Sequence, residues 1–213
     1  MINDIYVFDD IIEKPYQELI KETLLGGDKP PTVDEVDEDF PWYYTSDITD
    51  NSHEGPFQGR FGFAHQYVTT EEGIVSNFHN LFLGLIKNSC KKLKIKKIDI
   101  LQGRSFLSTP TNIPKDDVDT PHVDLYSPHF VMLYYVCDSD GDTIIYNEKS
   151  KFADHSPDEI DFTIKEKVSP KQGRVVLFNG IHWHTAEQPN NNLRCIVNYD
   201  LRDLSCVTPG VRI

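Results

Sequence analysis

Two histidines and an aspartate in this chain have the types and the spacing to hold a divalent metal ion. In Pro121-His122-Val123-Asp124 the imidazole and the carboxylate stand two positions apart, and an extended segment projects such a pair from one face. A further imidazole comes from the segment Phe178-Asn179-Gly180-Ile181-His182-Trp183-His184, where a strand ends at Phe178, turns through Asn179 and Gly180, and restarts. Two imidazoles and one carboxylate on the walls of a barrel form a facial triad. Its mixed nitrogen and oxygen ligands suit Fe(II) and leave one side of the ion open. His182 and His184 would face the same way on one strand. Spacing from the turn and distance to Arg194 favour His184, which leaves His182 behind the ligands or at the mouth of the site and Trp183 packing on the opposite face.

Arg194 follows His184 by ten positions, and a hairpin through Pro189, Asn190, Asn191 and Asn192 would set the two strands side by side. Alternation with Leu193 and Cys195 points its side chain inward. A buried guanidinium is costly unless a carboxylate pairs with it, from the protein or from a ligand. Its planar fork matches a carboxylate with two parallel hydrogen bonds.

The elements that position these groups read as all-β from residue 98 onward. Short β-branched and aromatic runs alternate with turn chemistry, and the strands expected are Ile98–Leu107, Thr120–Asp124, Phe130–Val136, Asp142–Tyr146, Phe162–Val168, Arg174–Phe178, His182–Glu187 and Leu193–Leu201. Eight short strands suit a two-sheet jelly roll, the cupin-like double-stranded β-helix. Before them, residues 14 to 25 place Tyr16, Leu19, Ile20 and Leu24 at helical spacing ahead of Gly26 and Gly27. Residues 72 to 93 carry Ile74, Val75, Phe78, Leu81, Phe82, Leu85 and Ile86 in the pattern of a longer helix with one buried face. The acidic stretch from Asp34 to Asp39, the aromatic run Phe40-Pro41-Trp42-Tyr43-Tyr44 and the polar section after it read as a solvated loop anchored by aromatics, with a substrate lid over 34–60 as the other reading. One domain spans 1–213, with helical support over 1–97 and a jelly-roll core over 98–201.

With 213 residues, 38% hydrophobic and 26% charged, the chain has the composition of an ordinary soluble globular domain. The balance of 21 basic against 34 acidic residues gives a formal charge of -13, which repels phosphate backbones and makes a nucleic-acid partner unexpected. Cys90, Cys137, Cys195 and Cys206 form no CxxC pair, and they read as reduced thiols rather than a zinc ribbon or disulfide framework. Neither a basic, apolar leader nor a long apolar run is present. A cytoplasmic protein with no membrane segment is therefore expected.

In their order and spacing the segments PHVD, MLYYV, SDGDT, GRVVLFNGxxxH and LRCIVNYD resemble the prolyl 4-hydroxylase-like branch of the 2-oxoglutarate- and Fe(II)-dependent oxygenases, over about Ile98 to Leu201. The resemblance implies His122, Asp124 and His184 as iron ligands, Arg194 as the anchor of the 2-oxoglutarate C5 carboxylate, and Tyr135 as a donor to the same carboxylate. Taken from the residues alone, Tyr135 is one of several strand aromatics, and Tyr134 could be the inward one. The resemblance further implies O2 as co-substrate, ascorbate as an accessory reductant, and hydroxylation of a C–H bond with release of succinate and CO2. A peptidyl proline is the substrate it suggests; a free amino acid or a nucleobase are the alternatives. Cys137 stands where an asparagine is usual, and Ile196 where some oxygenases have serine. The texture is also similar to small oxygenases of bacteriophages, which implies the cytoplasm of a bacterium or of an infected host cell. Two other classes compete. A metal hydrolase would lack its HExxH motif and any need for an inward Arg194, and a non-catalytic jelly roll would need no triad. His53, His65, His79, His129 and His155 are assigned to ordinary surface or core roles.

Overall fold

The segment Phe130–Tyr135 is buried along its whole length, because its strand lies in the middle of the molecule and packs on both faces. Met132 and Tyr134 join a core shared with the helices. Val131, Leu133 and Tyr135 join a second core inside a sandwich of two sheets. The computed structural model that gives this arrangement describes residues 5–26, 40–49, 60–111, 118–150 and 156–205.

In chain order the elements are β1 (Tyr6–Phe8), α1 (Lys14–Leu25), β2 (Tyr43–Thr45), β3 (Gly62–Thr69), β4 (Gly73–Ile74), a 3-10 segment (Asn77–Phe82), α2 (Leu83–Lys92), β5 (Ile98–Ser108), β6 (Phe130–Tyr135), β7 (Thr143–Lys149), a 3-10 turn (Pro157–Glu159), β8 (Ile164–Val168), β9 (Val175–Asn179), β10 (His182–Ala186) and β11 (Arg194–Asp203). The large sheet runs β1-β9-β6-β11-β5-β3-β2 with β4 on β3, and the small sheet runs β10-β7-β8. All pairings are antiparallel. The mainly β jelly roll expected from the sequence is the fold observed.

Strand alternation sorts β11 in the same way as β6. Cys195, Val197, Tyr199 and Leu201 face the helices, so Arg194, Ile196, Asn198 and Asp200 face the interior between the sheets. Ile196 packs there with Phe178 and Val176. Gly103 on β5 pairs with Tyr199, and an added Cβ would collide with the Tyr199 ring, which is fully buried and bonded through its hydroxyl to His79 Nδ1 at 2.9 Å. Gly103→Ala is expected to lower stability by about 1–3 kcal/mol, the usual cost of overpacking a tight core. A urea midpoint that does not move would show that the ring yields freely.

Three expectations are corrected. Residues 72 to 93 are not one helix: Gly73, at φ 74, closes a hairpin of β3 and β4. Ile74 and Val75 are 64% and 42% exposed, and helical structure begins only after Ser76, whose hydroxyl accepts from Phe78 N–H. The segment Thr120–Asp124 is not a strand but makes one isolated bridge, His122 to His184, with a second bridge, Val118 to Glu187, lying just before it. Pro121 within it has no N–H to continue a ladder. The described residues before 98 also supply four strands besides the helices.

Helix α1 appears where expected, with Ile20 and Leu24 buried and Leu19 half exposed. Phe40 packs on Trp42, His65, Tyr67 and Phe78, which is the anchoring expected of that aromatic run. The acidic stretch beside it, most of the lid reading, His53 and His155 lie outside the described residues. Cys90, Cys137 and Cys195 are free thiols, and Cys206 is outside the described range. No helix is long and apolar enough to cross a membrane among the described residues.

Candidate metal centre

His122 and His184 are held opposite one another by their own backbones. Each donates its N–H to the other's carbonyl at 3.0 Å, and the two rings lie 4.6 Å apart between centroids. His122 Nδ1 sits 2.9 Å from Thr120 O and His184 Nδ1 3.1 Å from His182 O. A carbonyl can only accept, so each Nδ1 carries the proton and each Nε2 is left with its lone pair, the form that ligates a metal. Asp124 completes the group with Oδ2 3.4 Å from His184 Nε2. The ligand atoms of these three residues lie within 4.8 Å of one another, and all three line a cavity of about 640 Å3 between the sheets.

Protonation suits cation binding. Burial, aided by the field of His184, pushes His122 down to about 4, so it stays neutral at ordinary pH. Arg104 and the two imidazoles hold the Asp124 carboxyl well below the usual range although burial opposes them. A neutral imidazole and a charged carboxylate are what a divalent ion requires.

His182 is not part of this group. A bulge between His182 and His184 breaks the simple alternation that would have aimed both rings the same way. His182 Nδ1 instead meets Tyr146 O at 2.8 Å, and its Nε2 lies 3.4 Å from Lys165 Nζ. Trp183 packs in a small cluster with Ile144 and Tyr146, but it also reaches the cavity wall.

Several groups around the carboxylate were not singled out in the sequence. Arg104 donates to Asp124 Oδ1 at 2.7 Å and lies 3.4 Å from Asp200 Oδ2. Asn198 Nδ2 donates to Asp124 Oδ2 at 3.3 Å. Asp200 is fully buried, and His129 Nε2 lies 3.8 Å from its Oδ1. The assignment of His129 to an ordinary role is thus corrected to a place beside the centre. Arg104 and Asn198 are cross-strand partners on β5 and β11, both inward, and together they fix the plane of the Asp124 carboxylate. Removing such an outer partner typically costs 10–100-fold in metal affinity. Arg104→Met is therefore expected to weaken divalent-metal binding at this cluster by roughly tenfold or more while leaving His122, Asp124 and His184 in place; a titration matching the unaltered chain would show that Asn198 suffices.

At another wall of the same cavity lies Arg194, 4% exposed. Its Nε donates to Gly141 O and its Nη2 to Thr143 Oγ1, both at 2.9 Å. It makes no ion pair with a carboxylate of the described residues, and burial lowers its pKa. Tyr135 is inward and Tyr134 is on the helix side. The Tyr135 hydroxyl donates to Thr143 Oγ1 at 2.8 Å, and Tyr135 itself stands behind the cavity wall. Thr143 Oγ1 thus accepts twice, and its own proton is free to point into the cavity.

No protein-family model and no curated protein sequence matches this chain. Solved structures do match. The viral collagen prolyl hydroxylase of Paramecium bursaria Chlorella virus-1, in its 2OG complex, superposes with a TM-score of 0.52 at 11% identity, over 94% of this chain and 96% of that one. A prolyl hydroxylase from Trichoplax adhaerens, solved with a hypoxia inducible factor peptide fragment, gives 0.52 at 13% identity over 94% and 84% of the two chains. The epimerase SnoN of nogalamycin biosynthesis, solved with Fe3+, alpha ketoglutarate and nogalamycin RO, gives 0.56 at 9% identity over 94% and 79%. At such identities the likeness establishes the fold: this chain has the jelly-roll architecture of those structures.

Proposed function

We propose that this chain is an Fe(II)- and 2-oxoglutarate-dependent dioxygenase that hydroxylates a C–H bond. The observation that carries the proposal is the presence, in one cavity, of a His122–Asp124–His184 cluster and a buried Arg194 that makes no ion pair with a carboxylate of the described residues. A hydrolytic metal site has use for the cluster but none for the guanidinium.

His122 Nε2, His184 Nε2 and one Asp124 oxygen would hold the ion, and Arg104 and Asn198 keep that oxygen turned toward the imidazoles. Arg194 would take the far carboxylate of 2-oxoglutarate with its fork. Thr143 would add a hydroxyl donor, and Tyr135 would support that carboxylate through Thr143 rather than by touching it. Bound iron and 2-oxoglutarate would supply the oxidation, in which one oxygen atom of O2 enters the product, the other enters succinate, and CO2 leaves. The protein's part is orientation, which shortens the approach of substrate to metal, and exclusion of bulk water by the walls of the cavity.

For the substrate we take a peptidyl proline as the first candidate, since two of the structural neighbours are prolyl hydroxylases. Ascorbate is proposed as the accessory reductant, and the cytoplasm as the site of action. The test is aerobic incubation with Fe(II), 2-oxoglutarate, ascorbate and proline-containing peptides. Succinate formed in step with a gain of one oxygen in a peptide supports the proposal. Succinate without any modified peptide would keep the oxygenase and reject the proline; no succinate with any substrate, from iron-loaded protein, would count against both.

A further inference from the structure

Asp119 sits on the cavity wall with an oxygen that no described residue satisfies. Its backbone N–H donates to Ala186 O at 3.0 Å and its carbonyl accepts from Thr185 Oγ1 at 2.5 Å, which strap it to β10. The side chain is 1% exposed and lines the same cavity as the His122–Asp124–His184 cluster. Oδ2 accepts from Gln188 Nε2 at 2.7 Å, while Oδ1 is buried with no hydrogen-bond partner among the described residues. A buried acceptor left without a donor costs about 1–3 kcal/mol, and such a group calls for an explanation in terms of what completes it.

The charged groups whose fields reach Asp119 are Arg194, Arg60 and Asp47. Burial pushes its carboxyl up to about 7, against the pull of the Gln188 hydrogen bond and the two arginines. A dicarboxylate held on Arg194 would be repelled by an ionised Asp119, so the free oxygen does not suit the co-substrate. A nitrogen donor suits it, and a charged one best. Charge-assisted hydrogen bonds are roughly twice as strong as neutral ones, and a formal charge of -13 favours the approach of cations.

We propose that Asp119 is a substrate-recognition residue, whose Oδ1 accepts a hydrogen bond from an ammonium or guanidinium group carried by the primary substrate. The substrate class is then a basic peptide or a basic amino-acid side chain. What happens to that substrate rests on the oxygenase reading; its binding does not.

The experiment is calorimetry at pH 8, where the carboxyl is ionised, on the full chain both metal-free and loaded anaerobically with Fe(II) and 2-oxoglutarate. The probes are blocked tripeptides, acetyl-Gly-Xaa-Gly-amide, with arginine or lysine at Xaa, against citrulline or norleucine as uncharged counterparts. One of the charged peptides is expected to bind at least tenfold tighter than its counterpart, about the worth of one hydrogen bond to a charged group. Asp119→Asn is expected to erase that preference while 2-oxoglutarate affinity is kept or rises, since a charge that repels the dicarboxylate is removed. Equal affinity of charged and uncharged peptides, including no binding of either, overturns the proposal without recourse to any variant. It is equally overturned by a preference that survives Asp119→Asn, or by a loss of 2-oxoglutarate affinity in that variant, which would assign the residue to the co-substrate. A charge preference in protein that fails to bind Fe(II) and 2-oxoglutarate would instead sink the oxygenase and leave the role of Asp119 standing.

Discussion

His184→Ala is expected to abolish Fe(II) binding and all turnover of 2-oxoglutarate, while His182→Ala keeps both. The contrast is sharp because the two residues are neighbours of equal type on β10 and both are buried. Only His184 has its Nε2 beside Asp124, at 3.4 Å; the His182 ring is occupied with Tyr146 O and lies near Lys165. Losing one of three ligands should cost more than the ~100-fold that loss of an outer partner can bring. His182→Ala removes packing and one hydrogen bond, so it should lower the melting temperature without changing the iron titration. Iron binding by His184→Ala at unaltered affinity, or its loss in His182→Ala with the fold intact, would reverse the assignment. The same titration applied to His122→Ala and Asp124→Ala should give the His184→Ala result.

Arg194→Met should raise the 2-oxoglutarate requirement on the order of 100-fold, about 3 kcal/mol, with Fe(II) affinity nearly unchanged. The magnitude is that of removing one partner from a desolvated, hydrogen-bonded charge pair. The selectivity follows from position: the Arg194 side-chain nitrogens donate to Gly141 O and Thr143 Oγ1, not to any of the three candidate ligands. Arg194→Lys should fall between, because an ammonium keeps the charge but not the planar fork. A 2-oxoglutarate requirement unaffected by Arg194→Met would mean that the buried guanidinium serves the fold and that the co-substrate, if there is one, is anchored elsewhere.

The sequence carried the parts of the site that depend on local periodicity. Arg194 alternates with residues that face the helices, so its direction follows from the extended backbone of β11; His122 and Asp124, two apart, do meet, although their segment is not a strand. What it did not carry depends on register and irregularity. Arg104 reaches Asp124 because β5 pairs with β11 so that Arg104 lies opposite Asn198, a relation between positions far apart in the chain. Thr143 meets Arg194 and Tyr135 only once the small sheet has folded over the large one. His182 and His184 were indistinguishable by alternation because a bulge cannot be read from residue types. The helix expected from residue 72 failed for a related reason: Ile74 and Val75 fit a helical stripe, but a hairpin closed at Gly73 leaves them in solvent.

An oxygenase of this kind must hold both an iron ion and a 2-oxoglutarate molecule in one cavity. Anaerobic titration of the purified chain with Fe(II) and then 2-oxoglutarate, followed by visible absorption, measures this directly. A charge-transfer band that saturates at one equivalent of each, and that is lost in Asp124→Ala, is the predicted result. Iron bound without any band on adding 2-oxoglutarate would contradict it.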